Sequence, residues 1–209
     1  SVFPLLKKQG YHVTLYTTPR GHEIVQNDPH IDAFVIQDTD QVPNEALNEF
    51  WENEARKFHR FINLSESIEG SLLTIPSRIA AKWPKPMRDA LLNKNYLEFT
   101  HDIAELPHEF NPRFYPTKEE SDWARRESAK LGRFVLYSLS GSSIHKAWPY
   151  MDSLIARLLL SDPTLKIVTC GSDMDKLLER GWEEEPRVIK RAGVWSIREA
   201  MAMLPHASL

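Results

Sequence analysis

Short runs of β-branched and aromatic residues alternate along this chain with longer stretches of helical period, and that alternation restricts the fold more than any single motif does. Residues 11–16, 33–36 and 60–64 read as strands, while residues 44–58 carry Leu47, Phe50, Trp51, Ala55 and Phe58 at the spacing of one helix face. The pattern blurs after Pro76 through Pro84, Pro86, Pro107 and Pro112. It restarts with the capping box Thr117-Lys-Glu-Glu120 ahead of a helix expected to reach Leu131. Strand 134–138, a helix to Leu160, the turn Asp162-Pro-Thr164, strand 166–169 and a helix stopped near Gly181 follow. Strands separated by helices favour parallel sheets with right-handed crossovers. The expected fold class is therefore α/β, with two doubly wound, Rossmann-like parallel-sheet lobes facing a cleft. The restart divides the chain into residues 1–115 and residues 116–209.

Composition narrows the function classes. With 209 residues, 42% hydrophobic and 26% charged, the chain reads as globular rather than disordered, and no apolar run approaches the roughly 20 residues of a spanning helix. A net charge of -3 supplies no general basic field for nucleic acid, so any bound anion is held locally. The single cysteine, Cys170, rules out an internal disulfide framework and fits a reducing cytoplasm. The eight histidines show no metal-type spacing, and no metal is expected. No repeat or low-complexity tract is evident. The opening reads as the later part of a helix stopped by Gly10, and the end as a strand just begun after Pro205, so further chain is expected on both sides and the second lobe is expected to be incomplete.

In doubly wound sheets ligands sit beyond the carboxyl ends of the strands, which directs attention to three loops. The first is Ser138-Leu-Ser-Gly-Ser-Ser-Ile-His-Lys-Ala-Trp-Pro149. Gly141 permits close backbone approach, Ser140, Ser142 and Ser143 carry hydroxyls, the next helix offers free N–H groups, and Lys146 adds a positive charge. A diphosphate fits this chemistry; so does a solvated turn with an exposed lysine. The second loop, Thr169-Cys-Gly-Ser-Asp-Met-Asp175, contains Gly171, Ser172 and Asp173. Asp173 is a candidate for hydrogen bonding to ribose hydroxyls, and Ser172 or Asp173 equally suits a helix N-cap. In the third, Ala192-Gly-Val-Trp-Ser-Ile-Arg-Glu199, Ser196 and Glu199 form a capping box for a helix through Leu204.

Ser140-Gly-Ser-Ser-Ile-His-Lys-Ala-Trp-Pro149 resembles the glycine/serine loop and Lys-x-Trp-Pro of glycosyltransferase family 9, the ADP-heptose:lipopolysaccharide heptosyltransferases. The loop at Gly171 follows at the expected interval, and Gly193-Val-Trp-Ser-Ile-Arg-Glu199 is similar to the family's Gly-x-x-Ser-Leu-x-Glu helix. Leu5-Leu-Lys-Lys-Gln-Gly-Tyr-His-Val-Thr-Leu15 and Asn27-Asp-Pro-His-Ile-Asp-Ala-Phe-Val35 look like its first helix, second strand and the approach to its third. The likeness covers nearly the whole chain, although the family's Asp-Thr-Gly motif and the loop holding its proposed base fall outside it.

The resemblance implies a two-lobed GT-B enzyme that transfers a heptose-like sugar from an ADP-sugar to a lipopolysaccharide-core or related saccharide, free or lipid-linked, with inversion and without a metal. The nucleotide sugar is a substrate, and no separate cofactor is expected. Lys146 would stabilise the leaving diphosphate, Ser140, Gly141, Ser142 and Ser143 would hold its phosphates, and Gly171, Ser172 and Asp173 would face the nucleoside. On the acceptor side, in residues 1–115, Glu66, Glu69, Arg20 and His22 are the substrate-binding candidates, each also readable as loop polarity. The expected location is the cytoplasm, at the inner face of the bacterial inner membrane, with peripheral contact and no nucleic-acid partner. Phe50, Trp51 and Phe58 read as core, and Asp38, Asp40 and residues 183–185 as solvated charge. An epimerase on the same scaffold and a non-catalytic nucleotide-sugar-binding protein are the alternative functions.

Overall fold

The computed structural model describes residues 1–38, 41–64, 74, 79–141 and 144–208. Contacts divide the chain into one unit formed by Ser1–His22 and Asp28–Arg113 and a second formed by Glu23–Asn27 and Phe114–Leu209.

In the first unit, α1 (Phe3–Lys8) leads to β1 (Thr14–Thr17), and α2 (Pro19–Val25), whose last turn belongs to the second unit, leads to β2 (Ala33–Ile36). The strands pair in parallel, Thr14 opposite Ala33 and Thr17 opposite Ile36. Gly10, at φ +85°, ends the first helix in a conformation glycine adopts at low cost. Leu5 and Leu6 of α1 bury against Val2, Val13, Ala104 and Leu106. The region expected to be one helix over residues 44–58 is a short 3-10 turn, Asn44–Ala46, followed by α3 (Leu47–Ala55).

Residues 60–64 are not a strand, contrary to the alternation. Arg60 donates from Nη2 to the Ala104 carbonyl at 2.5 Å, and Ile62 and Leu64 pack on the cluster of α1, so side chains rather than a backbone ladder seat this segment. The proline-rich region holds two helices, α4 (Lys85–Leu92) and α5 (Tyr96–Ile103), that the broken periodicity concealed. Pro86 lies in the first turn of α4, where the missing N–H leaves no bond unmade. Asn95 and Glu98 form a capping box at the start of α5.

The second unit contains α6 (Lys118–Leu131), β3 (Phe134–Ser138), α7 (Met151–Ser161), β4 (Lys166–Cys170), the 3-10 segment Asp173–Glu179, β5 (Val188–Lys190) and α8 (Ile197–Met203). Its sheet is parallel in the order β3-β4-β5, with Ile167 opposite both Val135 and Val188. Strand period 2 sends neighbouring side chains to opposite faces. Val135 and Ile167 join Ile155 and Leu159 of α7 on one face; Phe134 and Val168 join Ala124 and Leu131 of α6 and Ala202 and Met203 of α8 on the other. Both faces are covered, the condition under which a parallel sheet is found. Thr117 and Ser196 cap α6 and α8 through the boxes expected from the sequence.

One buried cation holds the start of this unit together. Arg198, on α8 and 5% exposed, makes a two-pronged pair with Glu120, Nε to Oε1 at 2.6 Å and Nη2 to Oε2 at 2.7 Å. Its remaining N–H groups reach the carbonyls of Glu23, Ile24 and Tyr115 at 2.9, 2.8 and 3.0 Å. Its face lies over the Phe114 ring. The last carbonyls of a helix lack intrahelical partners, and here a guanidinium supplies two of them for α2.

Removing one member of a buried pair strands the other. Arg198→Met is therefore expected to lower unfolding free energy by about 3 kcal/mol, and a loss below about 1 kcal/mol in urea denaturation would show that the pair is dispensable. The Arg198 guanidinium, against a smaller opposing effect of burial, holds the Glu120 carboxyl below the usual glutamate range. Its stabilisation is then complete above the unfolded value, near 4.3, and disappears as pH falls through the lowered folded value. The difference in unfolding midpoint between the protein and Glu120→Gln is expected to be full at neutral pH and to close below about pH 4.

Candidate functional site

The three loops that leave β3, β4 and β5 at their carboxyl ends are tied to one another in the second unit. After β3, the ladder extends to Leu139, whose N–H donates to the Cys170 carbonyl at 3.0 Å. Ser140 then directs its hydroxyl to Asp175 Oδ1 at 2.6 Å. At Gly141 an added Cβ would stand 3.0 Å from Cδ of Lys146, so the lysine stem lies across the glycine. Lys146 is exposed, in the 3-10 turn Ile144–Lys146. The N-cap of α7, Tyr150, provides no side-chain acceptor, which leaves the helix start without that satisfaction of its N–H groups. Ser142 and Ser143 lie outside the described residues.

The loop after β4 is a capping box in which Asp175, not Asp173, is the inward acid. Its Oδ2 accepts from Ser172 N at 2.6 Å and from Ser172 Oγ at 2.8 Å, and the side chain is buried. Gly171 is required here, because a Cβ would fall 2.6 Å from Asp175 Oδ2. Burial pushes the Asp175 carboxyl up, but the hydrogen bonds from Ser140 and Ser172 outweigh it and hold the group below the usual aspartate range. Asp173 is 80% exposed by side chain and pairs with Lys176. The structure thus assigns the N-cap to Ser172 and leaves the Asp173 carboxylate at the surface.

Glu179, one helical turn beyond Asp175 and also buried, ties in the loop after β5. Its Oε1 accepts from Thr169 Oγ1 at 2.5 Å and from the N–H groups of Arg191 and Ala192 at 3.1 and 3.0 Å. Gly193 donates to the Gly171 carbonyl at 2.9 Å. It has φ +61°, and a Cβ there would meet Asp173 Cα at 2.9 Å. At Cys170, burial first, then the charges of Asp175 and Glu179, push the thiol up to about 11, which disfavours the thiolate.

Of the four substrate-binding candidates of the first unit, Arg20 and His22 are among the described residues. Arg20 is exposed on α2. The His22 ring meets the Phe34 ring edge-on at 4.7 Å. Glu66 and Glu69 lie outside the described residues. An apolar cavity of about 480 Å³ does occur in this unit, between β1 and residues 58–64, with Leu6, Tyr16 and Trp51 in its wall. Neither Arg20 nor His22 lines it. Tyr16 donates to Glu54 at 2.5 Å, and burial, followed by that carboxylate, pushes its hydroxyl up to about 12.

Sequence reasoning missed Asp175 and Glu179. Their signal was a pair of acids, four residues apart, following a strand end that carries a glycine. Among the described residues no group of His, Cys, Asp and Glu has the arrangement of a metal site, and no helix is long and apolar enough to cross a membrane.

No protein-family model matches the chain, and no curated protein is similar to it in sequence. Solved structures are similar in fold. A glycosyl transferase family 9 protein from Veillonella parvula DSM 2008 superposes with a TM-score of 0.67 at 15% identity, over 100% of this chain and 68% of the other. An ADP-heptose lps heptosyltransferase II from E. coli gives a TM-score of 0.55 at 14% identity, over 99% of this chain and 71% of its own. The fold is accordingly α/β with parallel sheets, resembling the double-Rossmann GT-B architecture.

The contacts at the three glycines rank their substitutions. Gly193→Ala meets backbone at positive φ and is expected to cost about 1–3 kcal/mol. Gly171→Ala, which meets a buried and fixed carboxylate, should cost a comparable amount, about 1–3 kcal/mol. Gly141→Ala meets only a flexible lysine stem and should remain within about 0.5 kcal/mol of the parent. Thermal unfolding of the three variants checks the ranking, and an equal loss at Gly141 would contradict the exposed placement of Lys146.

Proposed function

We propose that this chain forms part of a glycosyltransferase that moves a heptose-like sugar from an ADP-sugar to a saccharide acceptor of the lipopolysaccharide-core type. The observation that carries the proposal is the loop after β3, where the stem of Lys146 lies across Gly141 at the carboxyl end of a parallel strand and beside a helix start with no side-chain cap. Support comes from the fold shared with the two glycosyltransferase structures and from the order of loop motifs along the chain.

In the proposed reaction an acceptor hydroxyl attacks the anomeric carbon, the bond to the diphosphate oxygen breaks, and the nucleoside diphosphate departs with that electron pair. The acceptor proton passes to a base that no residue of this chain is assigned to provide. Negative charge grows on the leaving oxygens, and a preorganised cation with N–H donors stabilises it most where the charge develops. Lys146 takes that role in place of a metal, with attack from the opposite face giving inversion. Residues 116–209 bind the donor through Gly141, Ser142, Ser143 and Gly171, and residues 1–115 receive the acceptor, with Arg20, His22, Glu66 and Glu69 as its candidate contacts. The setting is the cytoplasmic face of the bacterial inner membrane, where a lipid-linked acceptor is reached by peripheral contact.

Calorimetric titration of ADP, UDP and GDP into the protein and into Lys146→Ala tests the donor site. ADP is expected to bind in preference to the other two, and loss of the charged donor should weaken it by roughly tenfold to a hundredfold. Absence of binding by all three nucleotides, or equal ADP affinity in Lys146→Ala, would remove the proposed role of this loop.

A further inference from the structure

Asp175 does more than a capping box requires. Capping of the segment after β4 uses only Oδ2, which takes both Ser172 donors, and leaves Oδ1 spare. That second oxygen accepts the hydroxyl of Ser140, 35 positions earlier in the chain and on the loop of a different strand. The 2.6 Å separation is that of a charge-assisted O–H···O⁻ bond and shorter than the 3.3 Å from Ser140 Oγ to the Gly141 carbonyl. A serine hydroxyl has one proton, and an ionised carboxylate only accepts. While the proton of Ser140 is given to Asp175, it is unavailable to a phosphate oxygen.

We infer that Asp175 is a positioning residue of the diphosphate site: its carboxylate takes the Ser140 hydroxyl and so fixes where Gly141 and Lys146 stand, with Ser140 shaping the site rather than donating to the phosphate. The inference rests on the reading that this loop binds a diphosphate. It accounts for three features together. Gly171 is a glycine because a Cβ would collide with the carboxylate that makes the tie. Asp175 is buried at 4% exposure although its neighbour Asp173, with the same side chain, is at the surface. The negative charge of Asp175 is surrounded by inward-pointing donors, which keeps a carboxylate tolerable near an anion.

Inorganic pyrophosphate is the discriminating probe, because it has no ribose or base. Asp175→Asn removes a negative charge from the neighbourhood of the site, and that change alone would tighten pyrophosphate binding. The positioning role predicts the opposite sign: roughly tenfold weaker binding of both pyrophosphate and ADP. Ser140→Ala, which leaves the capping box intact, should produce a similar loss. The double variant should be no weaker than the weaker single one, since both remove the same tie. Unchanged or tighter pyrophosphate binding in Asp175→Asn overturns the inference, as do losses that add in the double variant. A loss confined to ADP overturns it too, because Asp175 would then contact the nucleoside directly.

Amide exchange separates this inference from the functional reading it rests on. If the unaltered protein binds neither ADP nor pyrophosphate, the diphosphate reading fails. The tie itself is then judged by exchange at the Leu139 and Gly141 amides in Ser140→Ala. Acceleration of about tenfold would support it, and unchanged exchange would overturn it.

Discussion

A single oxygen of Glu179 fixes the carboxyl edge of the second sheet. It accepts the Thr169 hydroxyl on β4 and two consecutive N–H groups just beyond β5, while its own backbone belongs to the segment between those strands. An ionised carboxylate taken out of water is costly unless donors replace its hydration. These donors converge only when β4, the intervening segment and the chain after β5 are docked together. The position of the loop at Gly193 follows, including its approach to Gly171, because the backbone N–H groups that hold it are the ones Glu179 draws in. Burial of the charge therefore specifies an arrangement as much as it contributes stability.

The same logic operates on the other side of the sheet, with the sign reversed. Arg198 brings five donors to a place where α2 ends and α6 begins, and there it meets two α2 carbonyls that helix geometry leaves unsatisfied, the Tyr115 carbonyl and the Glu120 carboxylate. Glu120 serves twice, as capping-box acid for Thr117 and as partner to the guanidinium. Pairs such as Lys118 with Asp122 and Lys85 with Asp89, exposed along single helices, have no comparable structural consequence. Lysine could not replace Arg198, because the planar fork satisfies a carboxylate and three carbonyls from one buried position.

The elements legible in the sequence were those whose signal is local. Strand 134–138 and the boxes Thr117/Glu120 and Ser196/Glu199 depend on neighbours within a few residues, and the structure has them where expected. The prolines before residue 113 misled because Pro86 starts a helix as readily as proline breaks one. Val188–Lys190 was hidden by its length, three residues between arginines, too short for alternation to register. Residues 60–64 have strand composition, yet Arg60 and the α1 cluster hold them without a ladder. At the carboxyl edge, the rule that ligands sit beyond strand ends directed attention to three loops that the structure ties to one another. It did not separate Asp173 from Asp175, because the distinction depends on Ser140, which is remote in sequence and adjacent only once β3 and β4 have paired.

That distinction bears on how two carboxylates are tolerated at this edge. Two buried carboxylates, Asp175 and Glu179, belong to one short segment, and the charges of both contribute to the raised thiol of Cys170. Left unpaired, such buried charges would carry a large desolvation cost. Instead their oxygens face hydroxyls and N–H groups drawn from three loops, with donor dipoles set against each charge. Lys146 ends the 3-10 turn in the loop after β3 and is exposed. The charge balance at this edge therefore depends on the pairing of β3, β4 and β5, which brings those donors together.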